Sequence, residues 1–159
     1  MSDQVADCVL CRGREGDAEL RCVEVWEDDL WRMTVSLASE VPGFAYLEPK
    51  RHITDITRLD GAEAASFGFV LARVTAALRE ELQVERVYIY VFGDGVAHLH
   101  LHLAPHRPDD ALNTQLIRGE VVTTQLPGGE TLVTSKDFPA LPESQLRAVA
   151  ERVRERLTR

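Results

Sequence analysis

The segment "VFGDGVAHLHLHLAPHR" sets His98, His100 and His102 in strict alternation with Leu99, Leu101 and Leu103. A period of two is the spacing of a half-buried β-strand, whose successive side chains leave opposite faces. The leucines are expected to enter the core and the three imidazoles to share the other face. Register is thereby pinned, because a slip of one residue would bury three imidazoles and expose three leucines.

The rest of the chain supplies partners for that strand. "VERVYIYVFG" is rich in β-branched and aromatic residues, and only the "GDG" turn separates it from the histidine segment, which predicts a hairpin. Upstream, "ELRCVEVWEDDLWRMTVSL" reads as two strands around a turn at Glu27-Asp28-Asp29, with Val23, Val25, Trp31, Met33 and Val35 alternating with polar neighbours. "GFAYLEP" makes a third strand ended by Pro49, with Lys50, Arg51 and His52 at its mouth. "LDGAEAASFGFVLARVTAALREELQ" is the clearest helix. Phe67, Val70, Leu71, Val74 and Leu78 keep helical spacing on one face, and Asp60 with Glu63 resembles a capping box.

Beyond Pro105, "GEVVTTQLPGGETLVTS" reads as a second hairpin turning at Pro127-Gly128-Gly129. "PESQLRAVAERVRERLTR" is an amphipathic helix, with Pro142 in its first turn and Leu146, Val149, Ala150, Val153 and Leu157 as its apolar stripe. Residues 1–18 are polar apart from "CVLC". The pattern is α+β: an antiparallel sheet with one long helix and a C-terminal helix.

At 159 residues the chain suits one domain with a real core. A net charge of −8 argues against nonspecific nucleic-acid binding, though not against a small phosphorylated ligand in a local pocket. No apolar run approaches a bilayer's thickness, so no membrane partner is expected. The N-terminus lacks the basic flank and apolar stretch of a secretory signal, so a cytoplasmic location is expected. Three cysteines in such a chain argue against a disulfide framework.

The three imidazoles admit three readings. They are polar positions on an exposed strand face, or ligands of one metal ion, or nucleophilic machinery. In the last, an imidazole nitrogen attacks phosphorus while its other nitrogen is held as N–H by an acceptor. "CVLC" (Cys8 and Cys11) has zinc-knuckle spacing, and two small buried residues near a strand start would look the same. Cys22 reads as a plain small side chain.

"HLHLHLA", His98 to Ala104, resembles the signature of the histidine triad (HIT) family, and "PKRHI" ahead of the long helix resembles a second family segment. The resemblance covers about residues 8 to 107. It implies a HIT-like domain over 1–109, including the knuckle, with 110–159 as a C-terminal extension packed on the same domain. It implies that His100 is the nucleophile at a nucleotide α-phosphate, forming a nucleotidyl-histidine. His102 would bind phosphate oxygens or protonate the leaving group, and Arg107 would add a guanidinium to the phosphate site.

An N-terminal C-x₂-C resembles the galactose-1-phosphate uridylyltransferase branch of the superfamily, which implies structural zinc on Cys8, Cys11, His52 and His98. The expected activity is that of a nucleotide hydrolase or nucleotidyl transferase on dinucleoside polyphosphates or nucleoside phosphoramidates, in a homodimer. Asp94 and Gly95 stand where the family carries Gln and Ser or Thr for phosphate, so the backbone around Gly95 would serve instead. Two alternatives are a zinc-stabilised nucleotide-binding module with little turnover and a His₃ metallohydrolase.

Overall fold

The computed structural model describes residues 5–108, 110, 121–136 and 138–159. Five antiparallel strands form one sheet in the order β1-β2-β3-β5-β4: β1 Cys22–Glu27, β2 Trp31–Ser36, β3 Ala45–Pro49, β4 Arg86–Val91 and β5 Leu101–His106. The β1-β2 turn is closed by Asp28, whose Oδ1 accepts from the backbone N–H groups of Leu30 and Trp31. Helix α2, Gly61–Leu82, crosses from β3 to β4 and packs on β4 and β5. Helix α3, Glu143–Leu157, lies on β1 and α2. Strands β6, Val121–Gln125, and β7, Thr131–Ser135, make a separate two-stranded ribbon around the predicted turn.

Alternation sorts the sheet into two chemistries. Trp31, Met33, Val35, Ala45, Leu47, Leu101 and Leu103 point to one side and meet Val70, Val74 and Leu78 of α2 in a single core. The stripe predicted on α3 joins that core through Val149, Ala150, Val153 and Leu157. Trp31 keeps its indole N–H satisfied by donating to Ser66 Oγ at 2.9 Å. The intervening residues, Arg32, Thr34, Tyr46, Glu48 and His102, occupy the opposite face. Contrary to the sequence reading, one segment, α2 at 22 residues, is long and apolar enough by length and composition to cross a bilayer, and its buried side is the wall of this core.

Two local readings of the sequence are corrected. The Asp60–Glu63 capping box does not form, and Asp60 caps α2 without a side-chain hydrogen bond. Arg51 takes both carboxylates instead, Asp60 Oδ1 at 2.5 Å and Glu63 Oε1 at 3.1 Å, because a guanidinium is a stronger donor than a neutral backbone N–H. The histidine strand also starts later than its alternation suggests, at Leu101. The Leu99 N–H is drawn to Ile53 O at 2.7 Å, so residues 98–100 run along the loop after β3 rather than in the ladder.

Finally, the polar N-terminus contains a helix, α1, Arg14–Leu20, preceded by a 3₁₀ turn at Leu10–Arg12. Gly16 permits it, since a Cβ there would meet Val9 O at 1.8 Å.

Leu103 is fully buried at the centre of the sheet. Leu103→Ala is expected to cost about 2–5 kcal/mol, read as a lowered urea midpoint with unchanged slope.

Candidate functional site

Two neighbouring sites grow from the start of β5. In the first, Cys8 precedes the 3₁₀ turn and Cys11 lies within it, His52 follows β3, and His98 precedes β5. Their four ligating atoms all lie within 4.8 Å of one another. His98 Nδ1 stands 3.4 Å from both Cys8 Sγ and Cys11 Sγ, and His52 Nδ1 stands 3.4 Å from Cys11 Sγ. The ring of His98 is oriented by its other nitrogen, because Nε2–H donates to Pro49 O at 2.8 Å. That leaves Nδ1 with the lone pair, facing the sulfurs. Burial lowers the His98 pKa to about 4, which keeps the imidazole neutral as a metal ligand requires. Burial also pushes the Cys8 thiol up to about 11. A cation among the donors reverses that effect by stabilising the thiolate.

Ligands on one tetrahedral zinc stand about 3.3–3.8 Å apart, from bond lengths of roughly 2.0 Å to nitrogen and 2.3 Å to sulfur. The Cys₂His₂ set therefore fits such an ion. It is a closed set with no position for water, which suits a structural role.

The second site is a groove of about 360 Å³ over the polar face of the sheet. His100 and His102 line it with ring centroids 5.2 Å apart. His100 Nδ1–H donates to His98 O at 2.6 Å, so the lone pair is on Nε2. Burial lowers the His100 pKa. His102 sits in an aromatic box, stacked on Tyr90 at 4.9 Å with the edges of Tyr46 and Phe92 at 5.1 and 5.5 Å.

The three imidazoles thus do not share one environment, as their alternation predicts. His98 turns to the knuckle, while His100 and His102 face the groove. The four-residue cluster contains neither of the latter two, which leaves a His₃ metal site without support among the described residues.

Gly93, Gly95 and Val96 line the groove, whereas Asp94 is exposed and outside its lining. Arg107 does not line the groove. Its guanidinium donates to Leu82 O at the C-terminal end of α2 rather than into the groove. Cys22, assigned no role, lines the groove as well. Thr131 and Leu132 of β7 form part of another wall, which gives the C-terminal extension a place at the site.

An ion cluster that contributes Asp17 and Glu48 to the groove was not foreseen. Arg32 reaches Asp17 Oδ2 at 2.5 Å, Glu48 Oε1 at 2.9 Å and Glu24 Oε2 at 3.0 Å. Burial raises the pKa of Asp17 and pushes that of Glu48 up to about 8. The signal in the sequence was Arg32 and Glu48 at polar-face positions of strands that are otherwise buried.

These observations place the chain among known proteins. A family model described as HIT domain matches residues 17–109, more than half of the chain, and the chain belongs to that family. Among solved structures it resembles a histidine triad protein from Bradyrhizobium japonicum, at 18% identity, TM-score 0.69, covering 88% of this chain and 93% of that one. A hypothetical histidine triad nucleotide-binding protein from Sulfolobus tokodaii aligns at 16% identity and TM-score 0.67, covering 95% and 92%. A zinc-bound histidine triad family protein from Mycobacterium smegmatis aligns at 22% identity and TM-score 0.62, covering 93% and 94%. At these identities the likeness is one of fold. No curated protein matches the chain.

Titration of the chain with Co²⁺ is expected to develop a thiolate charge-transfer band that saturates at about one equivalent, as a single Cys₂His₂ site requires. Cys8→Ser should weaken or remove the band, and His102→Ala should leave it in place.

Proposed function

We propose that the chain is a nucleotide hydrolase or nucleotidyl transferase that works at the α-phosphate through a covalent nucleotidyl-histidine on His100. The observation that carries this is the 2.6 Å hydrogen bond from His100 Nδ1–H to His98 O, which leaves Nε2 with the lone pair on a ring that lines the groove. That lone pair attacks the α-phosphorus, a P–N bond forms, and the bond to the leaving group breaks with its electron pair. His102 binds phosphate oxygens or delivers the proton that the leaving group needs. Water or another acceptor then attacks, the P–N bond breaks, and the nucleoside monophosphate departs. The backbone around Gly93 and Gly95 offers N–H groups to the phosphates where Asp94 and Gly95 replace the family's polar side chains.

Zinc is the proposed occupant of Cys8, Cys11, His52 and His98, where it supplies a closed structural clamp. These residues hold the His98 carbonyl in place for His100. Dinucleoside polyphosphates and nucleoside phosphoramidates are the proposed substrates. We further propose a homodimer formed at β4, the sheet edge, where Ile89 and Phe92 are 45% and 49% exposed, beside α2 with its exposed Phe69.

Incubation with an α-labelled dinucleoside polyphosphate is expected to trap labelled protein. His100→Ala should abolish the adduct and lower turnover by about a thousandfold or more while keeping the wild-type melting temperature. Binding without adduct or product, for every nucleotide offered, would instead identify a nucleotide-binding module. In light scattering the wild type is expected at the mass of two chains, and Ile89→Asp, which sets charges on the edge, at the mass of one.

A further inference from the structure

We propose that Glu48 is a specificity residue, and that the floor of the groove selects a nucleotide whose base turns adjacent N–H donors inward, which among the common bases is guanine. The inference rests on the nucleotide reading of the groove.

Glu48 is on the polar face of β3, two residues beyond Tyr46, which pairs in register with His102. It lines the same groove as His100 and His102 and is only 1% exposed. Its Oε1 accepts from Arg32, while its Oε2 has no hydrogen-bond partner among the described residues. Burial without a donor at Oε2 makes the charged form of Glu48 costly and raises its pKa to about 8, and a ligand that brings N–H donors to that oxygen offsets the cost and draws the group to the carboxylate form.

The charge around it points the same way. One guanidinium, Arg32, serves three carboxylates, those of Asp17, Glu24 and Glu48. Asp17 also lines the groove. Two of these carboxyls, Asp17 and Glu48, face one groove and share one cation, so a ligand atom with its own lone pair would face repulsion there. Leu10, Leu20 and Leu132 on the walls provide apolar surface for the flat faces of a base.

Base chemistry then discriminates. Guanine presents N1–H and N2–H side by side. Adenine sets its amino group beside the N1 acceptor, and cytosine sets its amino group beside the N3 acceptor. Uracil flanks its one N–H with two carbonyls. Only guanine offers two neighbouring donors with no acceptor between them. A site built around a buried acceptor rejects analogues that lack the matching donor more strongly than an apolar pocket rejects a size change.

The test is calorimetric binding of GMP, IMP, AMP and 2′-deoxy-GMP to the zinc-loaded full chain, which needs no turnover. GMP is expected to bind about tenfold or more tightly than AMP, with IMP, which lacks the N2 amine, in between. Glu48→Gln retains the size and an oxygen for Arg32 but turns an N–H₂ toward the groove. It should compress the GMP-to-AMP ratio to about threefold or less. Should the variant melt early, the GMP, IMP and AMP series on the wild type still decides.

Equal binding of all bases overturns the inference while leaving the nucleotide reading intact. So does tighter AMP, the result expected of a protonated Glu48 donating to adenine N1. A ratio unchanged in Glu48→Gln also overturns it, as does a preference that follows the 2′-hydroxyl rather than the base. If none of the monophosphates binds, the nucleotide reading and this inference fall together.

Discussion

The structure turns on how His98 is held. Its Nε2–H is tied to the carbonyl of Pro49, its Nδ1 faces two sulfurs, and its own carbonyl receives the proton-bearing nitrogen of His100. One side chain thereby joins the N-terminal turn to the end of β3, and its backbone sets the tautomer of the next imidazole. Because His98 is buried, each of these bonds forms where water competes little, so orientation is well defined. The N-terminal segment buries Val9 and packs α1 on β1, and a closed metal centre would tie its turn to the ends of β3 and β5 as well. Apparent metal-binding energies of about 10–16 kcal/mol in small zinc-finger peptides indicate how strongly such a centre couples binding to folding.

The sheet separates support from chemistry. Its apolar face is a continuous layer from Trp31 to Leu103 against α2 and α3, which leaves the backbone of β3 and β5 little room to shift. Its other face carries the aromatic box, the two groove imidazoles and the Arg32 cluster. The rings around His102 restrict its rotation, so the distance between His100 and His102 is set by packing as well as by backbone.

Much of this was legible in the sequence because it depends on period and on short motifs. The order of elements, the apolar stripes of α2 and α3, the turn at Pro127–Gly129 and the gathering of Cys8, Cys11, His52 and His98 all follow from local patterns or from the family resemblance they evoke. What escaped depends on contacts between distant segments. The late start of β5 comes from Leu99 bonding to Ile53, and Asp60 and Glu63 are diverted by Arg51, pairings that no local rule encodes. Arg107 follows the triad in sequence, yet the end of α2 offers it a carbonyl. Helix α1 is short and nearly devoid of apolar periodicity. The Arg32 cluster joins α1, β1, β2 and β3, so it exists only once the chain has folded.

The ribbon of β6 and β7 lies beyond the stretch matched by the family model, yet Thr131 and Leu132 help enclose the groove. The groove imidazoles and part of the wall beside them therefore come from separate stretches of polypeptide. A substitution in the ribbon reshapes that part of the groove while the strand bearing the imidazoles stays as it is.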